Sequence, residues 1–152
     1  MDEALRYLMA VDPGKTTGWA IWRPGMQDFR SGQMPWLDHL MWFEEQAVRN
    51  PGLVVVSESF IINQGTLRKS REHWSLEAIG AMKYVLERQG MTPLALQSPA
   101  EGKKFGTDDK LHAMGWWNPG KVHANDAARH LLTYLMKQPI TWAFDPSPLF
   151  DG

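Results

Sequence analysis

Apolar residues along this chain occur in short runs that turn-forming residues separate, and the runs predict strands alternating with helices. The predicted strands cover residues 6–11, 17–22, 26–33, 53–57 and 92–97. The first ends at Asp12-Pro13-Gly14, and Arg23-Pro24-Gly25 joins the second to the third, so the chain begins with a three-stranded meander. Asp12 is thereby expected at the carboxyl end of the first strand.

Helical spacing of apolar residues predicts three helices, over 36–48, 72–89 and 122–137. Gly90 is expected to cap the second helix and Pro139 to end the third. The stretch 98–120 is rich in Gly, Lys, Asp and Pro, which predicts a long loop with a short helix around 110–114. The tail that follows the last helix is expected to be irregular.

This order of elements predicts one α/β domain over residues 1–152, with a five-stranded mixed sheet and helices on both faces. A chain of 152 residues is short for two full domains, yet long enough to bury a core without disulfides. The absence of cysteine excludes disulfides, Cys-ligated zinc and thiol nucleophiles.

Composition narrows the setting but does not reveal a function. Sixteen Lys and Arg against 17 Asp and Glu give a net charge of -1, so bulk charge does not indicate a nucleic-acid binder. The longest aliphatic run is only Leu53 to Val56, and the first residues lack the features of a signal peptide. We therefore expect a cytoplasmic protein with no membrane contact and no organic cofactor.

Four ionisable residues fall where chemistry explains them better than structure does. Asp12 follows the first strand, Glu58 follows the fourth, and His123 and Asp126 open the last helix. If the first and fourth strands are parallel neighbours, their carboxylates converge, and such a pair repels unless a cation joins it. His123 and Asp126 share a helix face by i,i+3 spacing. Each residue alone also has an ordinary explanation, as a turn former, a cap or a dipole-favoured acid, and the argument rests on the four together.

Three segments in this order resemble a known family. They are Val11-Asp12-Pro13-Gly14-Lys15-Thr16-Thr17-Gly18-Trp19-Ala20, Val54-Val55-Val56-Ser57-Glu58-Ser59-Phe60 and His123-Ala124-Asn125-Asp126-Ala127-Ala128. They are similar to the first-strand, fourth-strand and terminal-helix motifs of the RuvC-like Holliday junction resolvases, in the RNase H-like superfamily. The resemblance extends over about residues 5 to 137.

The resemblance implies an RNase H-like fold and an endodeoxyribonuclease that resolves four-way DNA junctions by paired nicks. It implies two Mg²⁺ or Mn²⁺ ions per site, bridged by Asp12, with Glu58 on one and His123 with Asp126 on the other. Products with 5′-phosphate and 3′-hydroxyl ends, and a homodimer that presents two sites to one junction, follow from the same resemblance. Many members have Asp where this chain has His123, and a histidine ligand favours Mn²⁺ over Mg²⁺ here. The stretch between Lys110 and His123 is shorter than expected for the bacterial enzymes, which fits a phage origin.

Contacts to DNA are expected from local groups of basic residues. Lys104 and Lys110 are the catalytic lysine candidates, with Lys103 as a further DNA contact in the same loop, and any of them is equally well a solvated surface residue. Further basic candidates precede the second helix; they are Arg68, Lys69 and Arg71. Phe60 is placed where an aromatic side chain wedges against bases, or else packs into the core.

Three other functions remain open at this point. A broader RNase H-like nuclease acting on flaps, branched DNA or RNA without junction symmetry keeps the same ligands. A phosphotransferase of the actin and sugar-kinase type also begins with an Asp-x-Gly turn, but it generally needs two such domains. A catalytically silent DNA-binding module needs no metal.

Overall fold

A five-stranded sheet with strand order β3-β2-β1-β4-β5 forms the centre of the molecule. The computed structural model describes residues 6–60 and 73–151 of the chain. The strands are β1 (Arg6–Asp12), β2 (Thr16–Arg23), β3 (Asp28–Pro35), β4 (Gly52–Glu58) and β5 (Ala95–Gln97). The helices are α1 (Trp36–Arg49), α2 (Trp74–Arg88), α3 (Pro99–Phe105), α4 (Asp108–Met114) and α5 (Val122–Lys137), followed by a 3₁₀ turn at Ser147–Leu149.

Strand direction brings the ends of three strands to one edge of the sheet. β1, β2 and β3 pair antiparallel as a meander, whereas β4 pairs parallel to β1 and β5 parallel to β4. In this register Val11 lies beside Ser57, and Glu58 lies beside Gln97. The carboxyl ends of β1, β4 and β5 therefore share an edge, as expected of parallel strands.

Both faces of the sheet are covered, because side chains of each strand alternate between two cores. Leu8 and Ala10 of β1 pack on the face that α5 covers, whereas Met9 and Val11 pack on the face that α1 and α2 cover. The predicted α/β class, the mixed sheet and the helices on both faces are confirmed. No helix in the described ranges combines the length and apolar character that crossing a membrane requires.

The start of β3 and the stretch 98–120 differ from the sequence-based expectation. β3 begins at Asp28 rather than at Met26, because the Met26 amide bonds to the Arg23 carbonyl and Gln27 adopts φ 50°. In the stretch 98–120 the short helix expected around 110–114 is confirmed as α4, whereas α3 occupies a part that was expected to be loop. α3 begins at a capping box in which Ser98 and Glu101 bond to each other's backbone.

The buried face of α1 also differs from the expected one. Of the apolar residues whose spacing predicts this helix, Phe43 and Ala47 are buried as expected and Leu37, Met41 and Val48 are exposed, while the polar His39 is buried as well. The tail after α5 is irregular apart from the 3₁₀ turn, yet Trp142 and Phe144 of this tail complete the core beneath α5.

Candidate active site

Two carboxylates end adjacent parallel strands at the shared edge of the sheet. Asp12 is the last residue of β1 and Glu58 is the last residue of β4. The buried apolar residues of both strands anchor these ends, so the carboxylates are held by the sheet and not by a loop. Their side chains are 14% and 22% exposed, which leaves each partly open to solvent at the edge of the sheet.

The first turns of α5 reach this edge because β2 carries a glycine at the crossing point. Gly18 pairs with Asp12 across β1 and β2, and a Cβ at Gly18 would lie 1.8 Å from the His123 carbonyl oxygen. Gln33 of β3 holds the same turn, since its Oε1 accepts from the His123 amide at 3.1 Å and from the Ala124 amide at 3.4 Å. These contacts place His123 beside Asp12.

The four predicted ligand residues lie together at this edge, though not all within one tight group. His123 Nδ1 is 3.3 Å from Asp12 Oδ2. One ligand atom each from Asp12, His123 and Asp126 lies within 4.8 Å of the other two. Glu58 lies outside that group but is near enough to hydrogen-bond with Asp12.

The crowding of acids changes their protonation in the metal-free protein. Burial raises the pKa of Asp12 to about 9, and the Glu58 and Asp126 carboxylates add to the rise, against the Lys103 ammonium. Burial alone would also raise the pKa of Glu58, but hydrogen bonds from His130 and Asp12, with favourable electrostatics from His130 and Lys103, hold it below its usual range. Of these two carboxyls, Asp12 is therefore the one whose protonated form the site favours.

These residues fit a divalent cation. Burial and the neighbouring carboxylates both disfavour the charged form of Asp12, and a bound cation relieves the repulsion between these carboxylates. Carboxylate oxygens with one imidazole are hard donors of the kind that Mg²⁺ and Mn²⁺ accept. One oxygen or nitrogen from each of Asp12, His123 and Asp126 is already near enough to the others to share an ion.

A cavity of about 430 Å³ opens above these residues and carries basic groups on its walls. Lys15 of the β1–β2 turn, Lys103 of α3 and Arg129 of α5 all line it, beside the acidic cluster. A cavity lined by both signs of charge suits a phosphate ester bound through a metal, since cations on the wall attract the phosphate oxygens that the acids alone would repel.

The basic residues singled out from the sequence are placed differently from one another. Lys103 lines the cavity, whereas Lys104 lines a separate groove beside Phe105. The Lys110 ammonium lies 3.7 Å from the centroid of the Phe105 ring, a cation–π contact, and Lys110 is not among the described residues that line the cavity. Only Lys103 of these three is therefore brought to the acidic cluster.

Of the other DNA-contact candidates, only Phe60 is among the residues that the structure describes. Phe60 follows β4, is half-buried against the core beneath α1 and α2, and its ring centroid is 5.7 Å from that of His73. This placement agrees with the packing alternative, and its role toward DNA stays a prediction. The three basic residues before α2 lie outside the described residues; they are Arg68, Lys69 and Arg71.

Arg129 and His130 contact carboxylates of the acidic cluster and were not predicted from the sequence. Arg129 Nε lies 3.3 Å from Asp126 Oδ1, and the same guanidinium donates to the Gly106 carbonyl at 2.7 Å and contacts Asp108. His130 Nε2 lies 3.4 Å from Glu58 Oε2. The available signal was spacing, because His130 is four residues after Asp126 and so shares its helix face.

Comparison with known proteins identifies the fold. No protein-family model matches the chain, and no curated protein sequence matches it either. Among solved structures, the chain is similar to T. thermophilus RuvC in complex with a Holliday junction substrate. The TM-score is 0.64 at 16% sequence identity, over 89% of this chain and 96% of that one.

The chain thus has an RNase H-like α/β fold of the kind seen in RuvC, as the sequence predicted. At this sequence identity the likeness establishes the fold, and function is argued from the site. The likeness contains nothing that bears on a phage origin.

Proposed function

We propose that this protein is a divalent-metal-dependent, structure-selective DNA endonuclease that resolves four-way junctions by paired nicks. The observation that carries the proposal is the gathering of Asp12, Glu58, His123 and Asp126 at one edge of an RNase H-like sheet. The protein of similar fold is bound to a Holliday junction substrate, which supports branched DNA as the substrate here.

In this proposal the four residues hold two Mg²⁺ or Mn²⁺ ions, with Asp12 between them. Divalent ions at such a site supply activation of the attacking water near neutral pH and stabilisation of charge on the leaving oxygen. Asp12 has to give up its proton before it can act as a ligand, and its hydrogen bond to Glu58 is then replaced. Hydrolysis would leave 5′-phosphate and 3′-hydroxyl ends.

The basic walls of the cavity orient the phosphodiester in this proposal. The Lys103 ammonium lies near both carboxylates, because it opposes the rise in the pKa of Asp12 and helps to lower the pKa of Glu58. The scissile phosphate would enter the same space and be attracted by this ammonium. Lys103 is therefore the preferred catalytic lysine, ahead of Lys104 and Lys110. Arg68, Lys69, Arg71 and Phe60 remain proposed DNA contacts.

Paired nicks require two active sites on one junction. We therefore propose a homodimer, since a four-way junction has approximate two-fold symmetry and one chain offers one acidic cluster in its described part. Junction arms would then be held symmetrically, and the two nicks would fall at equivalent positions on opposing strands.

A panel of end-labelled DNA substrates tests this function. Purified protein is given a mobile four-way junction, a flap, a linear duplex and an RNA–DNA hybrid, each with Mg²⁺, Mn²⁺ or EDTA. We expect symmetric paired nicks in the junction only, with either metal and not with EDTA. Equal cutting of flaps or hybrids would instead support the broader nuclease without junction symmetry, and binding without any cutting would support a silent DNA-binding module.

Asp12→Asn and Asp38→Asn are the matched variants for this panel. Both remove one carboxylate, but Asp38 is exposed on α1 and is not among the described residues that line the cavity. We expect Asp12→Asn to lose cleavage by at least about a thousandfold and Asp38→Asn to cut like wild type. Full metal-dependent cleavage by Asp12→Asn would contradict the assignment.

A further inference from the structure

His130 is buried in α5 directly behind the acidic cluster. Its side chain is 3% exposed, and its Nε2 lies 3.4 Å from Glu58 Oε2. Histidine is costly to bury without a polar partner, so this placement asks for a reason. Residues of the apolar stripe that surround it, such as Leu131 and Ala127, serve packing alone.

The other ring nitrogen of His130 is contacted by a side chain of β5, the strand next to β4. Gln97, the last residue of β5, is 2% exposed. Its Nε2 donates to the His130 carbonyl oxygen at 3.3 Å, and its Oε1 lies 3.4 Å from His130 Nδ1. One glutamine thus contacts both the backbone and the ring of His130, which fixes the direction in which the ring points.

The third side of the ring is closed by α3. A Cβ at Gly102 would lie 2.7 Å from His130 Cε1 and 2.9 Å from Nε2, so the helix packs against the ring at a glycine. Larger side chains at this position would push the ring away from its place between Gln97 and Glu58. Polar contact and close packing therefore agree on one orientation of the imidazole.

We propose that His130 is a positioning residue, held by Gln97 and Gly102, that fixes the Glu58 carboxylate in the orientation in which it binds metal. The inference rests on the proposed function to the extent that Glu58 is a metal ligand. Groups that hydrogen-bond to ligating carboxylates and histidines contribute to metal sites because they remove the freedom of the ligand to turn away.

Calorimetric titration of the whole protein with Mn²⁺ alone, without DNA, tests this inference. His130→Leu removes both ring nitrogens at similar volume, and His39→Leu is its matched control. His39 is also a buried histidine, on α1, and neither of its ring nitrogens has a hydrogen-bond partner among the described residues. We expect His130→Leu to weaken Mn²⁺ binding by about 10- to 100-fold, with no change in His39→Leu.

Two further variants separate positioning from packing. His130→Gln keeps a donor near Glu58, and we expect it to bind Mn²⁺ within about threefold of wild type. In a Glu58→Gln background, His130→Leu should cause no additional loss, because the group that it positions is already altered. His130→Gln as weak as His130→Leu, or equal losses in both backgrounds, would overturn the inference. If His130→Leu does not fold, His130→Asn takes its place in both backgrounds, with the same expected loss, because its shorter side chain does not reach Glu58 as the imidazole does.

Cleavage of the four-way junction gives an independent comparison. We expect His130→Leu to lower kcat while the KM for DNA stays unchanged, since His130 borders the cavity but both of its ring nitrogens contact protein groups, those of Glu58 and Gln97. Loss of Mn²⁺ affinity in a protein whose wild type cuts no junction would uphold positioning and reject the proposed function. Wild-type affinity in His130→Leu, with junction cleavage intact, would reject positioning alone.

Discussion

At its position on the sheet edge, Asp12 is in surroundings that disfavour the ionised form of its carboxyl. Its carboxyl is largely buried and faces Glu58 and Asp126, which is why its pKa is raised to about 9. The folded state without metal therefore binds a proton that the unfolded chain releases near pH 4. Stability from this group is complete at low pH and is lost as the pH rises toward 9.

Asp12→Asn should consequently stabilise the metal-free protein in a pH-dependent way. In urea unfolding with EDTA, the unfolding free energy of Asp12→Asn relative to that of wild type should rise by about 1.4 kcal/mol per pH unit between pH 5 and pH 8. Asparagine takes up no proton in either state, whereas in wild type the unfolded chain releases the Asp12 proton over this pH range and the folded protein keeps it. A stability difference that does not change with pH would contradict the raised pKa, and Asp38→Asn controls for the loss of a carboxylate.

His39 should give a pH dependence of the opposite sign. Burial lowers the pKa of His39 to about 4, so the unfolded chain binds a proton between pH 6.5 and 4 that the folded protein does not. Its contribution is complete above pH 6.5 and is lost as the pH falls toward 4. Between pH 7 and 5 the unfolding free energy of wild type should drop about 2 kcal/mol more than that of His39→Leu. Parallel pH profiles would show that His39 is solvated.

At the scale of elements, a strand or helix could be predicted from the sequence where its pattern of residues lies within one short stretch of the chain. The buried runs of β1 and β4 and the apolar stripe of α5 were predicted from sequence because each repeats over several residues. α3 was missed because it is short and polar, although the Ser98-x-x-Glu101 spacing of its capping box was available. The burial of Trp142 depends on a contact with Trp22, 120 residues away, which no local pattern contains.

The same distinction holds for the site. Asp12, Glu58, His123 and Asp126 were singled out because strand ends and helix starts leave a sequence signal. Arg129, His130 and Gln97 were missed because a residue on a buried helix stripe or in a short strand looks like packing until its partner is known. Ranking among Lys103, Lys104 and Lys110 likewise needed the orientation of α3 and α4.

The crossing of β2 and α5 makes a prediction at this scale. Gly18→Ala places a methyl group against the backbone of His123, which cannot yield without moving the first turn of α5. We expect a loss of about 2 to 4 kcal/mol in unfolding free energy and weaker Mn²⁺ binding, because His123 and Asp126 move away from Asp12. Urea unfolding and calorimetry measure the two effects.

Gly80→Ala is the control for this substitution. Gly80 is exposed in α2 with no heavy atom within 4 Å of its added Cβ. Alanine favours helix over glycine by about 1 kcal/mol, so Gly80→Ala should leave the protein equally stable or more so, with unchanged Mn²⁺ binding. Gly18→Ala that behaves like Gly80→Ala would contradict the close approach of β2 and α5.

In the whole molecule, two hydrophobic cores pack against the two faces of the sheet whose edge carries the acidic residues. The face beneath α5 and the face beneath α1 and α2 hold β1 and β4 between them, so the ends of these strands are anchored from both sides. Ligands contributed by separate parts of the chain converge there only when the complete domain is folded. Metal binding and global stability should therefore be coupled, because a cation that binds only the folded state stabilises it by mass action.

Anomalous diffraction from crystals grown with Mn²⁺ tests this convergence most directly. We expect a Mn²⁺ peak within coordinating distance of Asp12, His123 and Asp126, with Glu58 at the same peak or at a second one that Asp12 also reaches. Crystals of Asp12→Asn should lack these peaks. Mn²⁺ bound elsewhere on the protein, with this edge of the sheet empty at saturating metal, would contradict the account.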